Sequence, residues 1–129
     1  MVTVLFICTG NAARSQMAEG WLKSLKSDLT VLSAGTKPEG LHHNAVKVMK
    51  EVGLDISNQI SKSIEDLDWE VADYAITLCG SANESCVNMV WPESCERKHW
   101  PISDPITDEE FRSARDEIKL RIESFLEKI

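Results

Sequence analysis

A thiol and a guanidinium occur close together near the start of the chain, at Cys8 and Arg14 in the segment Cys-Thr-Gly-Asn-Ala-Ala-Arg-Ser. A thiolate is a nucleophile, and a planar guanidinium grips two oxygens of an anion at once. The five residues between them are enough for the chain to curl around a tetrahedral anion and bring the guanidinium back beside the sulfur. The spacing therefore predicts an oxyanion-binding loop with Cys8 as its nucleophile.

Small and polar residues of the same segment suit a tight loop. Gly10 permits the backbone angles that such a loop needs, and Asn11 tolerates a left-handed conformation. The hydroxyl of Ser15 can donate to the sulfur of Cys8 and help to hold it as a thiolate. We expect a bound oxyanion to be surrounded by the loop residues Thr9, Gly10, Asn11, Ala12, Ala13, Arg14 and Ser15.

The flanking sequence predicts a strand before this loop and a helix after it. The apolar run 2–7 has the length and β-branched content of a buried strand. Apolar residues then recur on one helical face, at Met17, Ala18, Trp21, Leu22 and Leu25. In such a unit the backbone N–H groups of the loop converge, and the helix N-terminus adds partial positive charge. An oxyanion is thus expected above Cys8.

The rest of the chain alternates short apolar runs with helical patterns, which indicates an α/β fold. Further strands are predicted at 30–33, 74–78 and 97–99, and further helices at 44–52, at 64–72 and after a capping box at 107–110. The buried stripe of the last helix is expected at Phe111, Ala114, Ile118, Ile122, Phe125 and Ile129. Right-handed crossovers then give a four-stranded parallel sheet with helices on both faces, and place Cys8 and Cys79 at the same edge.

Composition narrows the class of protein. The chain has 129 residues, 43% of them hydrophobic, which suits a single domain over 1–129. Neither a membrane span nor a signal segment is recognised, so we expect a cytoplasmic protein with its four cysteines reduced. The net charge of −7 without a basic run argues against nucleic acid or an anionic membrane as partner. The cysteines lack the spacing of a zinc site, so we expect no bound metal.

Two further thiols, Cys79 and Cys86, flank the segment Gly-Ser-Ala-Asn-Glu-Ser. Its composition favours a mobile loop or a frayed helix. The two sulfurs would then pair only after a local rearrangement, because a disulfide needs Cα atoms within about 7 Å. From the residues alone an alternative stays equally open, namely one buried cysteine at a strand end and one incidental cysteine in a loop.

The stretch 8–20 (CTGNAARSQMAEG) resembles the low-molecular-weight protein tyrosine phosphatase superfamily. The overlapping stretch 16–21 (QMAEGW) is similar to the thioredoxin-coupled arsenate reductase branch of that superfamily, and so is Thr-Leu-Cys at 77–79 followed by Cys86. Plain tyrosine phosphatases lack this second pair of thiols. The resemblance implies that Cys79 and Cys86 are redox residues.

The resemblance also implies a relay of thiols. Cys8 attacks arsenate, Cys79 then attacks the sulfur of the adduct and releases arsenite, and Cys86 finally takes over the disulfide from Cys8. No cofactor is bound in this scheme. The reducing equivalents come from thioredoxin or a similar dithiol protein, whose potential lies near −270 mV in the case of thioredoxin. Phosphate and sulfate are expected to compete with arsenate.

An Asp-Pro pair in a late loop supplies the general acid in the superfamily, and Asp104-Pro105 matches it. The resemblance therefore implies an acid role for Asp104. The chain's histidines, His42, His43 and His99, are expected to be solvated or structural.

Two departures from the superfamily are informative. Some members bind a potassium ion with residues that Asn11, Glu19 and Ser33 match, but Lys62 stands where those members have aspartate. A lysine ammonium can replace the ion, so we expect no potassium requirement. Val87 replaces a proline that usually follows the last redox cysteine, which leaves the resting conformation of this segment open.

Two other functions stay open beside arsenate reduction. A low-molecular-weight phosphatase would hydrolyse phosphotyrosine or aryl phosphates with Cys8, Arg14 and Asp104. Two features argue against a phosphatase. The chain has the pair Cys79 and Cys86, and it has the aliphatic Ile106 after Asp-Pro, where phosphatases commonly have an aromatic residue. The second alternative is an oxyanion-binding thiol switch without turnover. In each case we expect a monomer.

Overall fold

The computed structural model describes residues 1–86 and 89–129, and the side chains of all of these except Ser85 and Cys86. Strands and helices alternate along the chain, as their apolar patterns predict. In chain order they are β1 (Thr3–Cys8), α1 (Arg14–Leu25), β2 (Thr30–Gly35), α2 (His43–Glu51), β3 (Tyr74–Thr77), α3 (Gly80–Cys86), β4 (Glu96–His99) and α4 (Asp108–Leu126).

The strands form one sheet in the order β2-β1-β3-β4, and every pairing is parallel. All residues of the central strand β1 are buried, so both of its faces are covered. This confirms the predicted α/β fold with a four-stranded parallel sheet. The register places Cys8 beside Gly35 and Ile7 beside Thr77, so the C-terminal ends of β1, β2 and β3 meet at one edge.

The prediction of a single helix over 64–72 is wrong. Two short 3₁₀ turns, Ile64–Asp66 and Trp69–Val71, occupy this segment. Leu67 between them has an extended backbone (φ −107°, ψ 153°) and packs partly against the core. An extended residue ends the first turn before an α-helix can propagate.

Helix α4 begins with the predicted capping box, in which Thr107 and Glu110 satisfy each other's backbone N–H groups. Its predicted stripe is buried from Phe111 to Phe125, but Ile129 is exposed because it lies beyond the end of the helix. Leu25 at the end of α1 is likewise exposed, contrary to the pattern. Within the described ranges, no helix combines the length and apolarity needed to cross a lipid bilayer.

Ion pairs join α2 to α4 around Glu51. Arg112 Nη2 lies 2.9 Å from Glu51 Oε2, and Arg115 Nη1 lies 2.9 Å from Glu51 Oε1. The buried Arg115 also donates to the carbonyl oxygen of Val48 at 3.0 Å, near the end of α2. The hydrogen bond from Arg112, with that from Arg115 and both positive charges, lowers the pKa of Glu51 from 4.5 to about 2.

We expect Glu51→Gln to destabilise the protein at neutral pH and to lose this effect in acid. A carboxyl whose folded-state pKa is depressed adds stability above its unfolded pKa and loses it as pH falls through the folded value. The difference in urea midpoint between the two proteins should therefore shrink from about pH 4.5 down to about pH 2. Glu127→Gln, at an exposed position after α4, is the control. A constant difference across this range would contradict the prediction.

Candidate active site

The loop after β1 is held from outside by the segment 37–42. The carbonyl oxygens of Thr9, Gly10 and Ala12 accept hydrogen bonds of 2.8 to 2.9 Å from N–H groups of that segment. None of the described peptide bonds is cis, so the N–H group that follows each of these carbonyls points the opposite way. The loop therefore turns N–H groups towards its concave side, as an oxyanion requires.

Backbone conformation restricts the residue type at Asn11, and the space around a Cβ restricts it at Gly10 and Gly35. Asn11 is fully buried and left-handed (φ 45°), as its residue type predicts. Gly10 lies outside the left-handed region, and a Cβ there would meet a carboxylate oxygen of Glu39 at 3.0 Å. At Gly35, where β2 ends, a Cβ would lie 2.6 Å from the carbonyl oxygen of Thr9. Glycine at 35 thus lets the strand end approach the loop.

The sulfur of Cys8 is buried and lies 2.9 Å from the hydroxyl oxygen of Ser15. That oxygen also accepts a hydrogen bond of 2.8 Å from Nδ2 of Asn11. Because the amide supplies its own hydrogen, the hydroxyl hydrogen of Ser15 is not used in that contact. It is therefore available to the sulfur of Cys8.

A pocket of about 480 Å³ opens above Cys8. Arg14 enters it from the start of α1 and is steered by the segment after β4: Nη1 donates to the carbonyl oxygen of Ile102 at 2.9 Å, and Nη2 lies 3.5 Å from Oδ1 of Asp104. The Asp104 side chain is 77% exposed. The pocket is lined by Cys8, Thr9, Gly10, Ala12, Ala13, Arg14, Glu39, His42, Asp104, Pro105, Ile106 and Phe111.

Part of the pocket wall was not predicted from the sequence. Glu39, His42 and Phe111 reach the pocket from the loop before α2 and from the first turn of α4. His42 caps α2, since its Nδ1 accepts from the backbone N–H of Asn44 at 3.1 Å, and its ring lies 4.9 Å from that of Phe111. Histidine is not a typical capping residue, so no sequence signal indicated this position.

Cys79 lies at the same edge as Cys8, as the predicted topology requires. It follows β3, is buried, and its sulfur lies 3.2 Å from the hydroxyl oxygen of Thr9. Its sulfur also accepts from the N–H of Ala82 at 3.4 Å. Of the two conformations expected after Cys79, a mobile loop or a helix, the structure has the helix α3.

Cys86 is the last residue of α3. Its side chain and Val87 lie outside the described residues. An α-helix rises about 10 Å over seven residues, which is more than the roughly 7 Å between Cα atoms that a disulfide tolerates. A Cys79–Cys86 disulfide therefore requires α3 to unwind.

The residues below the loop do not fit a potassium ion. The Oδ1 atom of Asn11 accepts from the backbone N–H of Lys62 at 2.9 Å, and the Ser33 hydroxyl donates to Glu19. The carboxylate of Glu19 also pairs with Lys23, and Lys62 Nζ lies 3.8 Å from its other oxygen. Burial lowers the pKa of Lys62, although the charge of Glu19 raises it. Hydrogen-bond donors and ammonium groups thus occupy the oxygens that a cation would need.

The family model for low molecular weight phosphotyrosine protein phosphatases matches residues 3–129. The chain belongs to this phosphatase family. Within the family it is similar to the arsenate reductase of Halalkalibacterium halodurans and to that of Bacillus subtilis (strain 168). Each is 47% identical over 133 residues, which covers 96% of this chain and 94% of the relative.

Solved structures of the family superpose over nearly the whole chain. An arsenate reductase in the oxidized state has a TM-score of 0.87 at 36% identity and covers 99% of this chain and 98% of its own. The low molecular weight protein tyrosine phosphatase of T. tengcongensis has a TM-score of 0.85 at 30% identity, with both chains fully covered. The thioredoxin-dependent arsenate reductase of Corynebacterium glutamicum has a TM-score of 0.81 at 28% identity and covers 99% of this chain and 61% of its own.

Proposed function

We propose that this protein reduces arsenate to arsenite, with Cys8 as nucleophile and Cys79 as the thiol that resolves the adduct. One observation carries the proposal: the sulfur of Cys79 lies 3.2 Å from the hydroxyl of Thr9, the residue that follows Cys8. A phosphatase that hydrolyses its adduct with water has no use for a second buried thiol at this place. The relatives described as arsenate reductases support the same conclusion.

The first step forms a bond between sulfur and arsenic. The thiolate of Cys8 attacks arsenate, which the loop N–H groups and Arg14 hold by its oxygens. One oxygen leaves as water after it receives a proton, and Asp104 is the acid on the pocket wall. We propose that phosphate and sulfate bind in the same pocket, because they share the shape and charge of arsenate. A similar arsenate reductase has been solved in a phosphate-binding state.

The second step transfers two electrons to arsenic. The thiolate of Cys79 attacks the sulfur of Cys8, a disulfide forms, and the electron pair of the sulfur–arsenic bond passes to arsenic. Arsenic is thereby reduced from the +5 to the +3 state and leaves as arsenite, while two thiols are oxidised. Cys8 and Cys79 are presented by the neighbouring strands β1 and β3, which favours their direct reaction.

The third step moves the disulfide away from the pocket. Cys86 attacks Cys79, Cys8 leaves as a thiolate, and the resulting Cys79–Cys86 disulfide lies on an unwound α3. We propose that a thioredoxin-like dithiol protein reduces it and that no cofactor is bound. The thioredoxin-dependent relative supports a donor of this class. We further propose that residues 1–129 act as one domain and as a monomer.

The test is arsenate-dependent consumption of NADPH in the presence of thioredoxin and thioredoxin reductase, with a control that lacks arsenate. Steady consumption together with arsenite formation is the expected result. The rival assignment is a phosphatase, and the aromatic wall formed by His42 and Phe111 would suit an aryl group. Hydrolysis of an aryl phosphate without any arsenate-dependent consumption would establish the phosphatase and overturn the proposal.

We expect arsenate reduction to be the same in potassium and in sodium salts, because Lys62 stands beside Glu19 in place of a cation. Lys62→Asp should create a potassium-dependent enzyme, since two carboxylates would then face each other without an ammonium between them. Initial rates at constant ionic strength measure both effects. Lys26→Asp, at an exposed position between α1 and β2, is the control. Potassium activation of the unsubstituted chain would contradict the prediction.

A further inference from the structure

A polar contact joins helix α3 to the sheet. None of its atoms reacts in the proposed relay. The hydroxyl of Thr77, the last residue of β3, lies 3.3 Å from Oδ1 of Asn83 on α3. The same hydroxyl lies 2.8 Å from Nδ1 of His99, the last residue of β4. The side chain of Asn83 is thus joined through Thr77 to the edge strand of the sheet.

The directions of these hydrogen bonds depend on the tautomer of His99. Thr77 has a single hydroxyl hydrogen, for which Oδ1 of Asn83 and the carbonyl oxygen of Lys98, 3.4 Å away, are both acceptors. When the ring hydrogen of His99 is on Nδ1, His99 donates to Thr77 and leaves the hydroxyl hydrogen for Oδ1 of Asn83. The contact with Asn83 therefore requires this tautomer of His99.

The surroundings of α3 make this contact more important for keeping the helix folded. A cavity of about 360 Å³ lies beside Thr77, Asn83 and His99 and extends to Cys95. Among the described residues, Asn83 is the part of α3 that borders this cavity, whereas Ala82 is buried on another side of the helix. Thr77 itself is buried but His99 is exposed, so these hydrogen bonds are partly shielded from competing water.

We propose that Thr77, Asn83 and His99 form a latch that holds α3 folded in the dithiol form and thereby makes the Cys79–Cys86 disulfide easier to reduce. This inference rests on the proposed relay. Formation of that disulfide joins the two sulfurs and requires α3 to unwind, which breaks the hydrogen bond to Asn83. An interaction present only in the dithiol form makes the disulfide a stronger oxidant, because it stabilises the reduced state. The latch residues are positioning residues and touch no reacting atom.

The experiment measures the equilibrium between the Cys79–Cys86 dithiol and its disulfide in buffers with set ratios of reduced to oxidised dithiothreitol. Cys8→Ser is present throughout, so that Cys8 cannot compete, and alkylation followed by peptide mass spectrometry identifies the paired cysteines. Thr77→Val removes the hydroxyl at nearly constant shape. Thr77→Ser keeps it, and His99→Asn keeps a donor near the position of Nδ1.

Thr77→Val should shift the equilibrium about threefold to tenfold towards the disulfide, where tenfold corresponds to about 30 mV for two electrons. The equilibrium constants of Thr77→Ser and His99→Asn should stay within about twofold of that of the Cys8→Ser parent. His99→Leu should shift the equilibrium towards the disulfide, as Thr77→Val does. Amide hydrogen exchange of α3 in the dithiol form should rise in Thr77→Val while that of β1 stays unchanged.

Equal equilibrium constants for Thr77→Val and the Cys8→Ser parent would overturn the latch and leave arsenate reduction untouched. A shift as large in Thr77→Ser as in Thr77→Val would also overturn it, because the hydroxyl would then not be the cause. Absence of any Cys79–Cys86 disulfide in the parent would instead overturn the relay, and the latch with it. The three outcomes are distinguished in the same set of samples.

Discussion

Cys86→Ser is expected to release a single arsenite per chain and then stop. The first two steps need only Cys8 and Cys79, which lie at the same edge of the sheet, so they should proceed as before. Without the third thiol the disulfide remains between Cys8 and Cys79, and the nucleophile is not regenerated. Arsenite released during the first turnover, compared with the concentration of chains, measures the effect. Peptide mass spectrometry should find Cys8 joined to Cys79.

Cys95→Ser is the matched control for this experiment. Cys95 is buried like Cys8 and Cys79, but it lies beside β4 in the wall of the cavity next to α3. Burial raises the pKa of its thiol, although the charge of Arg97 lowers it, so its thiolate is disfavoured. We therefore expect Cys95→Ser to turn over like the unsubstituted chain. Sustained turnover by Cys86→Ser would remove Cys86 from the relay.

Asp104→Asn is expected to lower the rate of arsenate reduction by about 10² to 10⁴, the range typical of losing a general acid. Asparagine keeps the size of the side chain but has no acidic proton for the leaving oxygen. Asp104 Oδ1 lies 3.5 Å from Arg14 Nη2, so the substitution changes the charge beside the anion site without moving the backbone. Single-turnover formation of arsenite measures the chemical step apart from the later disulfide exchange.

Two controls separate acid catalysis from damage to the pocket. The rate at which iodoacetamide alkylates Cys8 should be similar in Asp104→Asn and the unsubstituted chain, since the loop around the sulfur is intact. Asp28→Asn replaces an exposed, ion-paired aspartate that precedes β2, at the opposite edge of the sheet, and should leave the rate unchanged. A loss of less than about threefold in Asp104→Asn would contradict the acid role.

The loop and its neighbouring elements were predictable because their information is local. Cys8 and Arg14 lie within one short segment, the strand before them follows from a short β-branched apolar run, and the helix after them follows from an apolar period of 3.6 residues. The left-handed Asn11 and the capping box at Thr107 are likewise properties of a few consecutive residues. Alternation of such elements was sufficient to predict the parallel sheet and the common edge of β1 and β3.

Residues 64–72 show where local patterns fail. The pattern there suits an α-helix, yet the segment follows Ser63, which forms a bridge to Gly35 at the end of β2. Leu67 then takes an extended backbone and packs partly on the core. These constraints come from the packed sheet, and a helical period in the sequence contains no information about them.

The amino-acid sequence alone was enough to predict the reactive loop and the sheet and to recognise the resemblance to arsenate reductases. Each of these depends on neighbouring residues or on the regular alternation of elements. Tertiary packing decided the contacts between distant segments: Thr9 with Cys79, Arg14 with the carbonyl oxygen of Ile102, and His42 with Phe111 in the pocket wall. It also decided that Thr77 joins α3 to His99. Such contacts arise only when strands and helices far apart in the chain are brought together, and no local propensity encodes which side chains then meet.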